Sequence, residues 1–227
     1  MSEAALADRL AEVQAVIAAR RAVAGWQHAV RIVAVTKTHG PAAVRAAAGV
    51  GLTMVGENRV QEALAKQEAC TDVAVEWHLI GGLQRNKTRL VAGRFALIHS
   101  VDRMDLAEAL DRRATATSCQ PVLVQVNCSA EPQKGGVEPE ALPALLASLR
   151  ACARLELRGL MTMAALICDE REQRRTFALL RTLRDTMVTE GHCLPELSMG
   201  MSDDYPLAVE EGATLLRLGT VLFGPRE

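Results

Sequence analysis

Lys37 closes the segment Arg31-Ile32-Val33-Ala34-Val35-Thr36-Lys37, an apolar, β-branched run that reads as a buried strand. A lysine at the end of such a strand loses hydration. Burial favours the neutral amine, and a neutral amine is a nucleophile suited to an aldehyde. Taken alone, the residue also reads as a lysine whose stem lies along the strand while its ammonium reaches solvent.

The polar residues at the ends of other apolar segments decide between these readings. Ser202, Gly219 and Thr220 sit where the last two apolar segments give way to polar sequence. Ser202 offers a hydroxyl, Gly219 lets a ligand approach the backbone, and Thr220 adds an amide and a hydroxyl. Together they describe a phosphate cradle. Each also has a plain structural reading, with Gly200 and Gly219 as turn glycines and Ser202 as a helix cap. Arg217 lies inside Leu215-Leu216-Arg217-Leu218. An arginine in an apolar strand must meet an acceptor or a polar lumen. It reads either as an ion-pair partner of Glu57 or Asp203, or as a contact for an anion or a ring nitrogen. An amine that traps aldehydes, a phosphate cradle and a cationic basic group between them describe pyridoxal 5′-phosphate. In this reading its aldehyde condenses with Lys37 and its ring nitrogen faces Arg217. Enzymes that use the ring as an electron sink pair that nitrogen with an acid, whereas a permanent guanidinium disfavours the protonated ring and weakens the sink.

These residues need a scaffold that gathers strand ends. Eight segments read as strands: 31–36, 52–56, 76–81, 95–100, 121–127, 155–161, 196–200 and 215–219. Helical patterns fall between them at 41–48, 60–69, 86–91, 103–113, 139–153, 170–190 and 206–211, with Asp102 and Asp204 as caps. Leu6, Leu10, Val13 and Ile17 mark an additional N-terminal helix within 1–24, ended by Gly25. The expectation is one α/β domain over 1–227, a single (β/α)8 TIM-type barrel with that helix packed on it. An open doubly wound sheet is the structural alternative. The glycines of 49–56 precede a strand and do not match a nucleotide fingerprint, so the barrel is preferred. Active sites of such barrels lie at the C-terminal ends of the strands, with phosphate beyond strands seven and eight.

Composition narrows the remaining classes. With aromatics at 3% and a net charge of −1, stacking platforms and basic blocks are lacking, so nucleic acid is not an expected partner. Cys70, Cys119, Cys128, Cys152, Cys168 and Cys193 form no Cys-x-x-Cys pair, which argues against zinc, and a chain this large has a core of its own, which argues against a disulfide framework. The first residues have no secretory pattern and no apolar run is long enough to span a bilayer. A cytoplasmic location is expected, with no membrane partner.

Ala34-Val35-Thr36-Lys37, Gly56-Glu57-Asn58-Arg59-Val60-Gln61-Glu62, His78-Leu79-Ile80-Gly81-Gly82-Leu83-Gln84-Arg85-Asn86-Lys87, Ser198-Met199-Gly200-Met201-Ser202-Asp203 and Arg217-Leu218-Gly219-Thr220 together resemble the pyridoxal phosphate homeostasis proteins. The resemblance runs from the first strand to the last. It implies a barrel like the N-terminal domain of alanine racemase and pyridoxal 5′-phosphate held on Lys37 as a Schiff base. It implies phosphate and ring-nitrogen positions at Ser202, Arg217, Gly219 and Thr220, and adds Asn58 and Met199 near the cofactor. The implied role is to bind, buffer or deliver the cofactor in vitamin B6 homeostasis without robust turnover, with pyridoxal-phosphate-dependent apo-enzymes as recipients. Gly159-Leu160-Met161-Thr162-Met163-Ala164-Ala165 departs from the family where many relatives carry a proline, which loosens the reading of that loop. Lys134, in the loop after strand five, reads as a solvated lysine, with anion contact or aldehyde exchange as its other reading.

Two enzyme classes compete. An amino-acid racemase needs acid/base groups on both faces of the substrate carbon. In the related racemase one of these comes from a second, β-rich domain of a partner subunit. No such domain is expected here, because the sequence ends just beyond strand eight. A monomer is the expected state, and Tyr205, the one tyrosine, has nothing to place it opposite Lys37. A sugar-phosphate aldolase using a lysine Schiff base would want an acid near the amine, and only Glu57 and Asp203 offer themselves.

Overall fold

The Ser2 hydroxyl accepts a hydrogen bond from Ala5 N and starts α1 (Glu3–Ala24), which ends at Gly25 in the left-handed conformation. The computed structural model describes residues 2–115, 119–129, 131–165 and 169–225, so Cys168 and the last two residues lie outside the described residues. Strands and helices then alternate. β1 (Arg31–Val35), α2 (Pro41–Gly49), β2 (Met54–Glu57), α3 (Val60–Ala69) and β3 (Glu76–Leu79) form the first part. α4 (Thr88–Val91), β4 (Leu97–Val101), α5 (Met104–Asp111), β5 (Gln120–Gln125) and α6 (Leu142–Leu149) follow. β6 (Leu155–Met161), α7 (Glu170–Thr189), β7 (Glu196–Ser198), α8 (Tyr205–Glu210), β8 (Leu215–Leu218) and α9 (Thr220–Phe223) complete the chain.

All eight strands are parallel and in sequence order, and β8 pairs back onto β1, with Val33 beside Arg217. The barrel is therefore closed, which removes the open-sheet alternative. Closure sorts side chains by the two-residue strand period. Val33, Val35, Leu97, Leu123, Met161 and Leu215 fill part of the lumen, while Ala34, Val55, Ile98, Val124, Leu160, Leu197 and Leu216 pack outward against the helices. Leu6, Leu10, Val13 and Ile17 are the buried face of α1, as their spacing predicts. Each such burial contributes on the order of 2 kcal/mol. α1 lies on α8 and α9, beside the seam between β8 and β1.

Several expectations shift locally. Proline at 139 and 143 splits the predicted 139–153 helix into a 3-10 turn, Pro139–Ala141, and α6. A 3-10 turn, Arg85–Lys87, likewise precedes α4. Asp102 does not cap: Arg103 is the N-cap of α5, and the Asp102 carboxylate accepts from the Arg103 guanidinium instead. Asp204 is the N-cap residue of α8, but its carboxylate accepts from Met201 N at 2.5 Å, tightening the loop before the helix. α9 was not anticipated, being a single turn.

Candidate functional site

The C-terminal ends of β1, β7 and β8 meet at one rim. Val33 and Val35 face the lumen, and Lys37 follows two positions beyond, half-buried. The chain leaves the strand through Thr38 at φ 69°, the one non-glycine residue with positive φ among the described residues. A β-branched residue there costs on the order of 1–3 kcal/mol, so its surroundings must hold it. The residue before Lys37 supplies that hold. The Thr36 carbonyl accepts from Lys66 Nζ at 2.7 Å and from His39 N at 3.0 Å, and the Thr36 hydroxyl donates to Glu57 Oε1 at 2.6 Å. Lys66 also pairs with Glu57 at 2.6 Å, with side-chain exposures of 10% and 0%. Thr36, Glu57 and Lys66 thus form a buried triad that fixes the backbone from which Lys37 projects. Sequence reasoning missed Lys66. Its signal was position: with Val60 and Ala63 it falls on the buried stripe of α3.

The junctions after β7 and β8 are brought together by Ser202, whose hydroxyl oxygen accepts from Gly219 N at 3.3 Å and Val221 N at 3.2 Å. Ser202 is therefore a cap, as one reading had it, but of α9 rather than of α8. Thr220 between them is exposed. Gly200 is a turn glycine: its φ is +92°, and a Cβ there would lie 2.6 Å from Ala208 Cβ. Gly219 differs. A Cβ would meet Val35 at an ordinary 3.5 Å, so packing alone does not demand glycine. That contact also places Gly219 against β1, the strand that leads to Lys37.

Arg217 is 4% exposed. Its NH1 donates to Ser198 Oγ at 2.8 Å and its NH2 to the Thr162 carbonyl at 2.8 Å. Burial draws the guanidinium down to about 10, opposed by nearby Asp204, and it stays cationic at neutral pH. Among the described residues it forms no ion pair. Glu57 faces outward and is occupied by Lys66, and Asp203 is exposed. Ser198 Oγ in turn lies 2.9 Å from His99 Nδ1, and His99 Nε2 lies 2.9 Å from His78 Nδ1. A polar column thus descends the lumen from Arg217. Burial pushes His78 down to about 4 and His99 well below the usual histidine range, so both imidazoles are neutral.

The other expected site residues are placed as follows. Asn58 follows β2 half-buried, and Gly81 is the reason it can: a Cβ on Gly81 would sit 2.2 Å from the Asn58 carbonyl oxygen. Met199 is fully buried in the aliphatic layer between sheet and helices, so any contact from it to a rim ligand would come from its main chain. Lys134 is not a solvated lysine. Its side chain is 10% exposed, pairs with Glu131 at 3.1 Å and donates to the Ala164 carbonyl, because its loop folds back against the end of β6. Tyr205 is 8% exposed, and its charged neighbours Arg20 and Glu12 belong to α1, outside the barrel. No cluster of three metal-ligating side chains occurs among the described residues, and no helix among them is long and apolar enough to cross a membrane. Cys70, Cys119, Cys128, Cys152 and Cys193 are free thiols.

Comparison with known proteins shows the family and the fold. A sequence model of the family described as alanine racemase, N-terminal domain, matches residues 9–227. A pyridoxal phosphate homeostasis protein of Pseudomonas aeruginosa is 43% identical over 224 residues, spanning 98% of this chain and 96% of the relative. The structure of PipY from Synechococcus elongatus with pyridoxal phosphate bound superposes with a TM-score of 0.84 at 41% identity, covering 96% of this chain and all of PipY. An alanine racemase from Bacillus anthracis shares the fold alone, with a TM-score of 0.75 at 16% identity. It covers 98% of this chain, which spans 56% of the racemase.

Proposed function

From the premise that the chain belongs to the alanine racemase N-terminal domain family, and within it to the pyridoxal phosphate homeostasis proteins, we propose that it holds pyridoxal 5′-phosphate at this rim and serves vitamin B6 homeostasis. The observation that carries the reading is the meeting of three chemistries at one end of the barrel. A lysine stands on a fixed backbone, amide and hydroxyl donors gather at Ser202, Gly219 and Thr220, and a buried guanidinium lies in register with β1.

This donor set fits the cofactor. The amides of Gly219 and Val221 converge on one oxygen, that of Ser202, and can serve a phosphate oxygen beside it. Lys37 would hold the cofactor's carbonyl carbon covalently. Arg217 would face the ring nitrogen as a permanent cation, a donor that does not supply a proton. Asn58 and the main chain of Met199 would border the ring. When bound, the cofactor supplies an electrophilic carbonyl and an electron-withdrawing ring, and Arg217 weakens the latter.

We propose binding and release rather than turnover. Tyr205 is packed against α1 and lies on the wrong side of the sheet to serve as an opposing acid for racemisation. The aldolase reading loses one of its two candidate acids, since Glu57 is enclosed by Lys66 and Thr36, and is left with the exposed Asp203. Among the described residues only Val23 and Val188 are large exposed apolar side chains, which supports a monomer. Cytoplasmic apo-enzymes dependent on pyridoxal phosphate are the proposed recipients.

Titration of the purified protein with pyridoxal 5′-phosphate tests this. An absorption band near ~420 nm should saturate at one equivalent. Lys37→Ala should lose the band yet still bind the cofactor, with inorganic phosphate as a competitor. A wild-type protein that stays colourless at saturation overturns the proposal.

A further inference from the structure

The polar column leaves Arg217 and ends toward the opposite mouth of the barrel, and its last atom has no partner. His78 is 3% exposed, and its Nε2 is buried without a hydrogen bond. The column's direction follows from its upper end. A guanidinium only donates, so Arg217 donates to Ser198 Oγ. Ser198 has one proton left to give, and His99 Nδ1 is there to accept it. Neutral His99 then carries its proton on Nε2 and donates to His78 Nδ1. Neutral His78 carries its own proton on Nε2. The reverse assignment would strand the serine proton in a dry interior. The column therefore ends in an N–H donor. The nearest carboxylate, Glu76 Oε2, is 3.9 Å from it, beyond hydrogen-bonding distance.

This donor faces a cavity of about 210 Å³ at the N-terminal mouth of the barrel. The rim carries three carboxylates, Glu76, Glu156 and Glu196, against two guanidiniums, Arg31 and Arg158. Arg31 pairs with Glu196 and Arg158 with Glu156, which leaves Glu76 with only a neutral imidazole beside it. Leu97 and Leu215 give the cavity an apolar floor. A simple anion is opposed by the excess carboxylate. A simple cation leaves the His78 donor without an acceptor. A molecule with both charges satisfies both ends.

We propose that this mouth is a second small-molecule site, separate from the Lys37 rim, that takes a free α-amino acid with a small side chain. Its carboxylate accepts from His78 Nε2 and Arg158, its ammonium lies on Glu76, and its side chain rests on Leu97 and Leu215. The site does not depend on the cofactor reading.

Nitrogen-15 NMR of the full chain labelled at histidine tests it, with L-alanine, acetate and methylammonium as probes. Alanine should shift the His78 Nε2–H signal saturably, and the other two should not at the same concentration. The signals of His28 and His39 should stay in place. Glu76→Gln should weaken the alanine response at least tenfold, while Lys37→Ala should leave it unchanged. Arg158→Met, on the exposed rim, should give a similar loss and keeps the test decisive if the first variant does not fold. A His78 signal that ignores alanine, answers acetate equally, or survives both rim substitutions unchanged overturns the proposal.

Discussion

Replacing Lys66 by methionine removes the cation that neutralises Glu57 while keeping most of the side chain's volume. Glu57 is fully buried, and its Oε2 already lacks a hydrogen bond. Without Lys66, only the Thr36 hydroxyl at 2.6 Å would support the carboxylate, and the Thr36 carbonyl would lose its 2.7 Å donor. Stranding one partner of a buried pair costs about 3–5 kcal/mol, a large part of a domain's typical total of about 5–15 kcal/mol. Removing both charges should cost less than removing one. Lys66→Met with Glu57→Leu should recover all but about 1–3 kcal/mol, the residue being the unmet polar groups of Thr36. Urea denaturation followed by circular dichroism at pH 7, on both single variants and the double, yields the coupling energy. Lys66→Met should also slow aldehyde capture by Lys37, whose backbone the triad holds. Additive effects, or a cost for Lys66→Met below about 1 kcal/mol, would refute the claim that this pair fixes the Lys37 loop.

Other outcomes follow from the same geometry. Gly81→Ala should destabilise by about 1–3 kcal/mol and weaken cofactor binding, because the new Cβ meets Asn58 backbone at 2.2 Å. Gly82→Ala, with nothing within 4 Å, is the matched control and should change little by the same melts. His78 is neutral in the fold, pushed to about 4 from an ordinary 6.5 chiefly by burial. The unfolded chain binds the extra proton between those values, so its contribution is complete above 6.5 and lost as pH falls toward 4. At about 1.36 kcal/mol per unit this amounts to about 3 kcal/mol. An imidazole NMR titration showing His78 protonated already at pH 6 would contradict it.

The scaffold was readable because its strands are short apolar runs separated by helical periodicity. The predicted 155–161 strand and 60–69 helix match β6 and α3 residue for residue. Ends drifted where a local rule competed, as with the prolines that split the sixth helix. Strand ends could be read from the sequence, and Lys37, Ser202, Gly219 and Thr220 do follow β1, β7 and β8, with Arg217 inside β8. What supports them could not be read that way. The inward face of each strand is set by barrel closure, so the alignment of Arg217, Ser198, His99 and His78 depends on register between strands distant in sequence. Lys134 was misjudged because a loop's return onto the barrel leaves no periodic trace. Lys66 is not a strand-end residue: it is a charge on the buried stripe of α3, with Val60 and Ala63.

Borohydride reduction of protein loaded with pyridoxal 5′-phosphate, followed by proteolysis and mass spectrometry, tests the central claim most directly. The tag should appear on the peptide containing Lys37, at one per chain. A tag on Lys134 or another lysine in place of Lys37, or none at all on saturated protein, would contradict the account.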